Sequence, residues 1–427
     1  MTFQRLAIVV ALTTVGASLV VDAADWPQWR GPQRHGVSQE TGLLKQWPAD
    51  GPKLLWQVND IGDGYATVAV VGTRLYTLAN RGLDNEFVAA LSAEDGKVVW
   101  TTRLGNVGNP DQTPSYPKAR STPTVDGPLL YALSSDGDLA CLDTATGTVR
   151  WQKSLRKEFG GQPGTWAYSE SPLVDGELVI VTPGGSDATL VALNKRTGAT
   201  VWKAAVPGGD PAGYASAIVV NEAGRRQYVQ FTGKGIVGVD AANGQFLWRY
   251  DEASKGPANM PTPVASGAYV YSSAGSVGGT LVRLTAADGG IKAEKVYLTR
   301  GLPNTNGGSV LVGDTLYGTT REGLVAADFK SGAIRWQAES IGAASIVAAD
   351  GHLYLHGEDG SVALVEVTAD AYREKGRFMP PTRPQHATAM EKAWPYPVVA
   401  NGRLYIRDRG TLWAYDVAEP KGAGRAR

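Results

Sequence analysis

A short unit recurs along the chain: an apolar stretch, a polar turn that ends in glycine, and a tryptophan four positions after that glycine. The complete copies are Gly96 to Trp100, Gly147 to Trp151, Gly198 to Trp202, Gly244 to Trp248 and Gly332 to Trp336. The first four tryptophans are 51, 51 and 46 residues apart, and 88 residues separate the last two. Periods of this length predict a fold built from repeated structural units.

The long interval before Trp336 predicts a repeat that has lost its tryptophan. Residues 282–289 supply the apolar strand and the glycine turn of this copy, and they place Ala293 at the tryptophan position. A second degenerate copy covers residues 362–376. The repeats therefore run almost without interruption along the chain.

Each repeat contains four strand signals separated by turns, most clearly in the second copy. Its strands are Thr122 to Val125, Leu129 to Leu133, Asp138 to Asp143 and Thr148 to Lys153. The turns between them carry Asp-Gly or Thr-Gly, and glycine supplies the positive φ that tight hairpins require. One repeat therefore predicts one four-stranded antiparallel meander.

Eight innermost strands can be counted, one for each repeat. They begin at Thr67, Ser121, Ser171, Ser216, Thr262, Ser309, Ser345 and Pro397. The last repeat, residues 397–417, has only three strands, while residues 54–58 (Leu-Leu-Trp-Gln-Val) match the outer strands of other repeats. We therefore predict an all-β fold, an eight-bladed β-propeller of four-stranded antiparallel blades, in which an N-terminal strand completes the last blade and removes exposed sheet edges.

Charge and cysteine content limit the classes of partner and of chemistry. Lysine plus arginine number 41, as do aspartate plus glutamate, so the net charge is zero and nucleic acid is not expected as a partner. Cys141 is the only cysteine, which excludes an intramolecular disulfide. Neither a nucleotide-binding glycine loop nor a metalloprotease motif is present, and we assign no catalytic or metal-binding residue.

The N-terminus predicts export to the periplasm or the medium. Arg5 precedes an apolar run from Leu6 to Val21, which ends in the small-residue pattern Val21-Asp22-Ala23. This pattern predicts a signal peptide cleaved after Ala23, and an uncleaved anchor is the alternative. The expected organisation is a signal peptide (1–23), an N-terminal arm with the ring-closing strand (24–58), the propeller (59–417) and a C-terminal tail (418–427).

The most complete repeat, residues 143–151 with the pattern Asp-x-x-Thr-Gly-x-x-x-Trp, resembles the repeat of the PQQ-like family, which is named after pyrroloquinoline quinone dehydrogenases. Residues 26–32 (Trp-Pro-Gln-Trp-Arg-Gly-Pro) and 168–176 are similar to secreted PQQ-like proteins, often described as similar to outer membrane protein assembly factor B. The resemblance covers essentially the whole mature chain and implies the propeller fold. It does not imply one function, because the repeat encodes blade packing.

The family includes proteins with two known functions, and this chain departs from the sequence features of both. Quinone-dependent alcohol dehydrogenases of this fold carry a vicinal cysteine pair beside the cofactor, and a chain with Cys141 alone has no such pair. Assembly factors of this family are usually lipoproteins, and residues 21–24 contain no cysteine to carry a lipid. Both functions therefore need support from the site itself.

A candidate site lies at the funnel face, where the connections between blades converge. These connections are the longest in the chain, and long loops on a rigid scaffold concentrate binding residues. A small-Tyr-small unit precedes several inner strands, and neighbouring repeats add amides, one cation and one carboxylate. The candidate ligand-binding residues are Tyr65, Arg120, Tyr168, Glu170, Tyr214, Asn259, Asn306, Trp394 and Tyr396. The alternative is that the tyrosines only fill the narrowing channel.

Two functions follow from such a face. The first is a monomeric, non-catalytic binding or scaffold protein that holds a protein, peptide or sugar-like ligand. The second is a quinone-dependent dehydrogenase, which would need pyrroloquinoline quinone, calcium and a general base. Residues that could take those roles are Arg120, Lys234, Arg321, Trp394, Glu170 and Asn306. Since the sequence places no second carboxylate beside Glu170, we favour the binding protein.

Overall fold

The computed structural model describes residues 24–112, 116–256, 258–275, 277–288, 290–386 and 391–420. These residues form a ring of eight four-stranded antiparallel sheets, which confirms the predicted eight-bladed propeller. The predicted signal peptide and residues 421–427 of the predicted tail lie outside the described residues.

The first four blades take their strands in chain order from the axis outward. Blade 1 contains β2 (Ala69–Val71), β3 (Arg74–Asn80), β4 (Glu86–Ser92) and β5 (Val98–Gly105). Blade 2 contains β6 (Thr124–Asp126), β7 (Leu129–Leu133), β8 (Asp138–Asp143) and β9 (Val149–Ser154), and α1 (Leu155–Phe159) follows it. Blade 3 contains β10 (Leu173–Asp175), β11 (Leu178–Val181), β12 (Leu190–Asn194) and β13 (Thr200–Ala204). Blade 4 contains β14 (Ile218–Glu222), β15 (Arg225–Phe231), β16 (Ile236–Asp240) and β17 (Phe246–Tyr250).

The second half of the ring repeats this order until the last strand. Blade 5 contains β18 (Val264–Ser266), β19 (Tyr269–Ala274), β20 (Gly278–Ala287) and β21 (Gly290–Thr299). Blade 6 contains β22 (Ser309–Val312), β23 (Thr315–Thr320), β24 (Gly323–Asp328) and β25 (Ile334–Ala338). Blade 7 contains β26 (Ala344–Ala349), β27 (His352–Gly357), β28 (Val362–Glu366) and β29 (Glu374–Phe378). Blade 8 contains β30 (Val398–Ala400), β31 (Arg403–Asp408), β32 (Thr411–Asp416) and β1 (Lys53–Val58).

Strand β1 closes the ring as predicted. It pairs antiparallel with β32, from Lys53 opposite Asp416 to Val58 opposite Leu412. The fourth strand of the last blade thus comes from the start of the chain, and separating blade 8 from blade 1 would break this sheet.

Most inner strands begin later than the sequence suggested. Several of the residues predicted to begin them form hydrogen bonds to neighbouring blades instead. Ser171 lies two residues before β10, and its hydroxyl accepts a hydrogen bond from the Thr122 backbone N–H at 2.9 Å. The Ser171 backbone N–H in turn donates to the Ser216 hydroxyl at 2.9 Å. These small hydroxyl residues link successive blades around the axis.

The recurring tryptophans pack between blades. The Trp100 and Trp151 indole N–H groups each donate to a backbone carbonyl of the next blade, at Thr144 and Lys195. The turn glycine of that next blade faces the ring: a Cβ on Gly198 would lie 2.8 Å from the Trp151 side chain. The glycine and the tryptophan of the repeat are therefore partners across blade boundaries.

The prediction that Ala293 occupies the tryptophan position of blade 5 is wrong. Ala293 pairs with Leu284, whereas Tyr297 pairs with the residue just before the β-bulge, as the tryptophans do in the other blades. The Tyr297 ring lies 3.2 Å from a Cβ built on Gly332, and its hydroxyl donates to the Phe329 carbonyl at 2.9 Å. A longer β20–β21 hairpin moves the register, so tyrosine takes the place of tryptophan.

In blade 7 the tryptophan position is Gly376, and a side chain from the N-terminal arm fills the space. Trp47 lies against Gly376, where a Cβ would be 2.6 Å away. Its ring centroid is 5.9 Å from that of Tyr354 and 5.4 Å from that of Phe378. Trp47 thereby supplies the missing ring between blades 7 and 8.

Residues 26–38 of the arm, here called the plug, insert into the axial channel from the side opposite the funnel face. Trp26 pairs with Val70 near the end of the inner strand of blade 1, and Val37 forms a parallel bridge with Ala348 in blade 7. Trp26 is 2% exposed. The plug is therefore buried, which the sequence analysis did not predict.

Two buried arginines of the plug bind backbone carbonyls of separate blades. Arg34 donates to the Ser171 carbonyl at 2.8 Å and to the Pro172 carbonyl at 3.1 Å. Arg30 donates to the Ser309 carbonyl in blade 6. Backbone carbonyls in the channel need donors once water is excluded, and the arginines supply such donors; the Pro172 carbonyl accepts from the Thr124 hydroxyl as well as from Arg34.

Candidate functional site

A cavity of about 530 Å³ opens on the axis, formed largely by residues that immediately precede the inner strands. Its walls are dominated by seven aromatic side chains: Trp29, Tyr65, Tyr116, Trp166, Tyr214, Trp394 and Tyr396. Such a volume lies within the range of ~300–1,000 Å³ that is usual for small-molecule sites. The plug does not fill this end of the channel.

The cavity brings together six of the nine residues predicted for the funnel face. These are Tyr65, Arg120, Tyr214, Asn306, Trp394 and Tyr396. Tyr168, Glu170 and Asn259 lie outside the cavity lining, and each of them is buried in the structure around it.

Tyr168 and Asn259 support the ring through hydrogen bonds. The Tyr168 hydroxyl donates to the Pro183 carbonyl at 2.8 Å, and the side chain is 1% exposed. The Asn259 amide donates to the Thr232 carbonyl at 2.7 Å, while its backbone carbonyl accepts from the Tyr214 backbone N–H at 3.0 Å. Asn259 therefore acts on the cavity only by holding Tyr214.

Glu170 is a buried carboxylate between blades 3 and 4. It accepts hydrogen bonds from the Thr182 backbone N–H, from the Thr182 hydroxyl at 2.7 Å and from the Gln230 amide at 3.0 Å. Burial raises the pKa of Glu170 to about 7, against the pull of these donors. All its close partners are structural.

The aromatic side chains form two groups above a floor. In one group Trp394 contacts Tyr65 and Tyr116, with ring centroids 5.0 and 5.4 Å apart. In the other group Trp166 lies 5.7 Å from Tyr214. The segments that carry the first group lead into blades 8, 1 and 2, and those of the second lead into blades 3 and 4.

Trp29 of the plug forms part of the floor. Its indole N–H donates to the Thr262 hydroxyl at 2.9 Å, and its ring meets Tyr396 edge-on at 4.5 Å. The Tyr396 hydroxyl donates to the Asn306 carbonyl at 3.0 Å. The plug therefore supports the site as well as the ring.

Arg120 is the cation set most deeply in the wall. Its guanidinium lies 5.5 Å from the centre of the Tyr65 ring and donates through Nη2 to the Tyr116 carbonyl. Among the described residues it forms no ion pair with a carboxylate, its Nη1 makes no hydrogen bond, and its Nε is buried without a hydrogen-bond partner. Burial lowers the pKa of Arg120, although arginine stays charged at neutral pH.

The cavity lining carries more positive than negative charge. Arg321 and Lys392 join Arg120, and within the described ranges the lining contains one carboxylate, Glu358. Glu358 accepts a hydrogen bond from the Trp394 indole N–H at 3.2 Å. The cavity therefore favours an anionic ligand.

Ion pairs join the loops that carry the first aromatic group. Lys118, two residues before Arg120, lies 3.2 Å from Glu391 and 3.3 Å from Asp63. Arg409 of blade 8 contacts the same two carboxylates, each at 2.7 Å. This four-residue network fixes the wall that carries Tyr65, Tyr116 and Trp394.

Several lining residues were not predicted for the site: Trp29, Tyr116, Trp166, Glu358 and Lys392. Tyr116 and Trp166 occur in two of the three longest connections between blades, so loop length combined with aromatic content was a usable signal. Trp29 gave a weaker signal, since two large aromatic residues close together, Trp26 and Trp29, are not expected in an exposed arm.

The residues do not fit calcium-assisted quinone chemistry. Of the set considered for it, Arg120, Arg321, Trp394 and Asn306 line the cavity, whereas Lys234 donates to the Gly208 carbonyl outside it and Glu170 is turned into the ring. Calcium requires several oxygen ligands, mainly carboxylates. No group of three metal-binding side chains occurs in the described part of the chain, and Glu358 alone cannot supply such a set.

Among the residues that the structure describes, no helix has the length and apolarity to cross a bilayer.

The comparisons with known proteins agree with the fold. A curated relative named outer membrane protein assembly factor BamB, from Moranella endobia (strain PCIT), is 25% identical over 172 residues, which are 39% of this chain and 40% of the relative. The match thus spans well under two thirds of that protein.

Two solved structures share the architecture. BamB from Moraxella catarrhalis superposes with a TM-score of 0.58 at 17% identity, covering 88% of this chain and 98% of the other. A quinohemoprotein alcohol dehydrogenase from Pseudomonas putida HK5 gives 0.60 at 13% identity, covering 93% and 80%. At these identities the likeness shows the fold alone.

The family model PQQ_2, described as outer membrane protein assembly factor BamB, matches residues 84–338, which is more than half of the chain. The matched range contains the five tryptophans of the repeat, Trp100, Trp151, Trp202, Trp248 and Trp336. The chain is therefore a member of the PQQ_2 family of β-propellers.

Proposed function

We propose that this protein is an exported, non-catalytic binding protein that holds a ligand in the axial cavity and uses the ring as a rigid scaffold. The observation that carries the proposal is an aromatic cavity whose described lining contains Arg120, with a buried Nε that has no hydrogen-bond partner, and one carboxylate, Glu358. Binding needs flat apolar surface and a few oriented polar groups, and the cavity provides both.

The partner class proposed is a protein, peptide or sugar-like ligand. The name of the curated relatives, assembly factor, supports a role in bringing other molecules together, and the rigid ring suits that role. We propose that the protein acts as a monomer in the periplasm or outside the cell. We further propose that residues 1–23 are removed, leaving an arm (24–58), a propeller (59–417) and a tail (418–427); mass spectrometry of the exported protein tests the cleavage site.

A photo-crosslinking experiment tests the use of the funnel face. A photoreactive phenylalanine analogue replaces Trp166, which lines the cavity, or Val201, which is 52% exposed on β13. In the native envelope we expect crosslinked adducts at position 166 and none at position 201. Adducts at 201 alone, or at neither position, would contradict the proposal.

A titration with pyrroloquinoline quinone and calcium tests the enzymatic alternative. We expect neither a saturable absorbance change nor dye reduction with simple alcohols, because the described cavity residues lack a calcium ligand set and a vicinal cysteine pair. Tight binding with turnover would show that the protein is a dehydrogenase instead.

A further inference from the structure

The lining of the axial cavity contains groups suited to one carboxylate. Arg120 lines the cavity with its guanidinium 5.5 Å from the centre of the Tyr65 ring, and its Nε is buried without a hydrogen-bond partner. A guanidinium held by one edge and one face can direct its free edge to a carboxylate, which is the anion that matches its geometry. Burial strengthens such a contact, because water competes less for the charges.

The aromatic side chains around Arg120 favour a ligand in which a ring with an apolar face lies beside that carboxylate. Trp394 on one side and Trp166 with Tyr214 on the other present aromatic surface. A sugar ring offers an apolar face of C–H groups to such surfaces, while its hydroxyls at the rim can bond amide and hydroxyl groups. Asn306 and Ser169 of the lining supply these polar partners.

A second cavity continues the first and indicates a ligand of more than one ring. It measures about 470 Å³ and shares Asn306, Arg321 and Glu358 with the axial cavity. Arg300 and Asn304 extend its polar lining toward blades 5 and 6. All residues that line this second cavity lie in connections between strands, so the cavity offers no free strand edge with which an extended peptide could pair.

We propose that the joined cavities bind an acidic oligosaccharide, with a uronate carboxylate on Arg120 and its sugar ring between Trp394 and Tyr214. This inference rests on the proposed binding function and adds the ligand class. Arg321 lies at the junction of the two cavities, where it faces the next sugar unit.

A fluorescence titration of the purified protein tests this assignment, since three tryptophans line the cavity. The probe is trigalacturonate, and maltotriose is a neutral trisaccharide of similar length. We expect saturable quenching by trigalacturonate and at least about tenfold weaker binding of maltotriose, as the loss of a charge-assisted hydrogen bond requires. Equal affinity for the two would overturn the proposal without any use of a variant.

Variants then locate the carboxylate. Arg120→Met should weaken trigalacturonate binding at least about tenfold and leave the weak maltotriose binding unchanged. Arg196→Met is the matched control, because Arg196 lies on an exposed turn outside the cavity lining and should leave both affinities unchanged. An equal effect of the two substitutions would overturn the role of Arg120.

Two further probes separate the ligand classes. Binding of 2-naphthoate, or of a short peptide through its terminal carboxylate, without binding of trigalacturonate would overturn the sugar assignment. If no probe binds while crosslinks persist at position 166, this inference fails and the proposed binding function stands. If crosslinks are also absent, the proposed function fails.

Discussion

Neighbouring blades are joined by pairs of residues, in which a tryptophan of one repeat packs against a turn glycine of the next. The tryptophan of one blade and the turn glycine of the next are about 50 residues apart in sequence, yet Gly198 lies directly against Trp151. Position 198 also has φ of 71°. It therefore requires glycine for two reasons: the left-handed backbone conformation and the absence of room for a Cβ. Boundaries of this kind thus depend on two residues that no local motif contains together.

Alanine substitutions in blade 3 separate these two requirements. Gly176 has φ of 59°, and a Cβ added to it would meet nothing within 4 Å, so Gly176→Ala should cost only the left-handed backbone, about 1–2 kcal/mol. Gly198→Ala should cost more, because its Cβ meets the Trp151 ring at 2.8 Å. The excess should shrink in a Trp151→Ala background, measured by a double-mutant cycle of unfolding free energies. An additive cycle would contradict the packing described.

Glu170 and Glu86 are buried carboxylates whose protonation affects stability. Burial raises the pKa of Glu170 to about 7 and that of Glu86 to about 8, although each accepts hydrogen bonds, from Thr182 and Ser135 respectively. The folded state therefore binds these protons more tightly than the unfolded state does. The stabilisation is fully present below about pH 4.5 and is lost as pH rises through the folded pKa values.

A pH series of unfolding measurements tests this sign. Between pH 5 and pH 7 each group should lower the unfolding free energy by at most about 1.4 kcal/mol per pH unit. Glu170→Gln should make that decline shallower, because a neutral amide of similar shape does not titrate. Glu158→Gln is a suitable control, since Glu158 lies on the surface. A steeper decline in Glu170→Gln than in the parent would contradict the assignment.

At the scale of elements, the N-terminal arm supplies a side chain that packs between two blades. Blade 7 has Gly376 where other blades have tryptophan, and Trp47 of the arm supplies the ring instead. Since Trp47 is 4% exposed, Trp47→Ala should destabilise the protein by about 3–5 kcal/mol, like the loss of a core tryptophan. Val201→Ala on an exposed outer strand should cost less than about 0.5 kcal/mol. Chemical denaturation monitored by circular dichroism compares the two variants.

The elements also show what the sequence could predict. Four strands per repeat, eight blades and closure by β1 follow from glycine turns and apolar alternation, which are local signals. Tyr297 was missed because a longer hairpin changes the register, and a register cannot be read from the spacing of Ala293 alone. Six site residues were found since they precede inner strands, whereas Trp29 comes from the plug, whose path depends on contacts distant in sequence.

At the scale of the whole molecule, the plug and the ring depend on each other. The ring supplies carbonyls that Arg30 and Arg34 satisfy, and the plug supplies Trp29 to the cavity floor. Closure by β1 is a separate device, because it pairs strands at the outer edge of blade 8. Removing the plug should therefore open the axis without opening the ring.

A deletion of residues 26–38 that retains β1 tests this separation. We expect a folded monomer by size-exclusion chromatography, with a lower thermal midpoint at fixed scan rate, because the ring loses the packing of Trp26 and the hydrogen bonds of Arg30 and Arg34. Inner-strand amides such as those of β2 and β6 should exchange hydrogen faster, whereas β1 and β32 should keep their protection. Arg34→Met serves as the milder comparison and should leave the exchange of β2 unchanged, since Arg34 binds carbonyls beside blade 3. If the deletion leaves both the midpoint and the exchange of β2 as in the parent, the arm does not stabilise the channel.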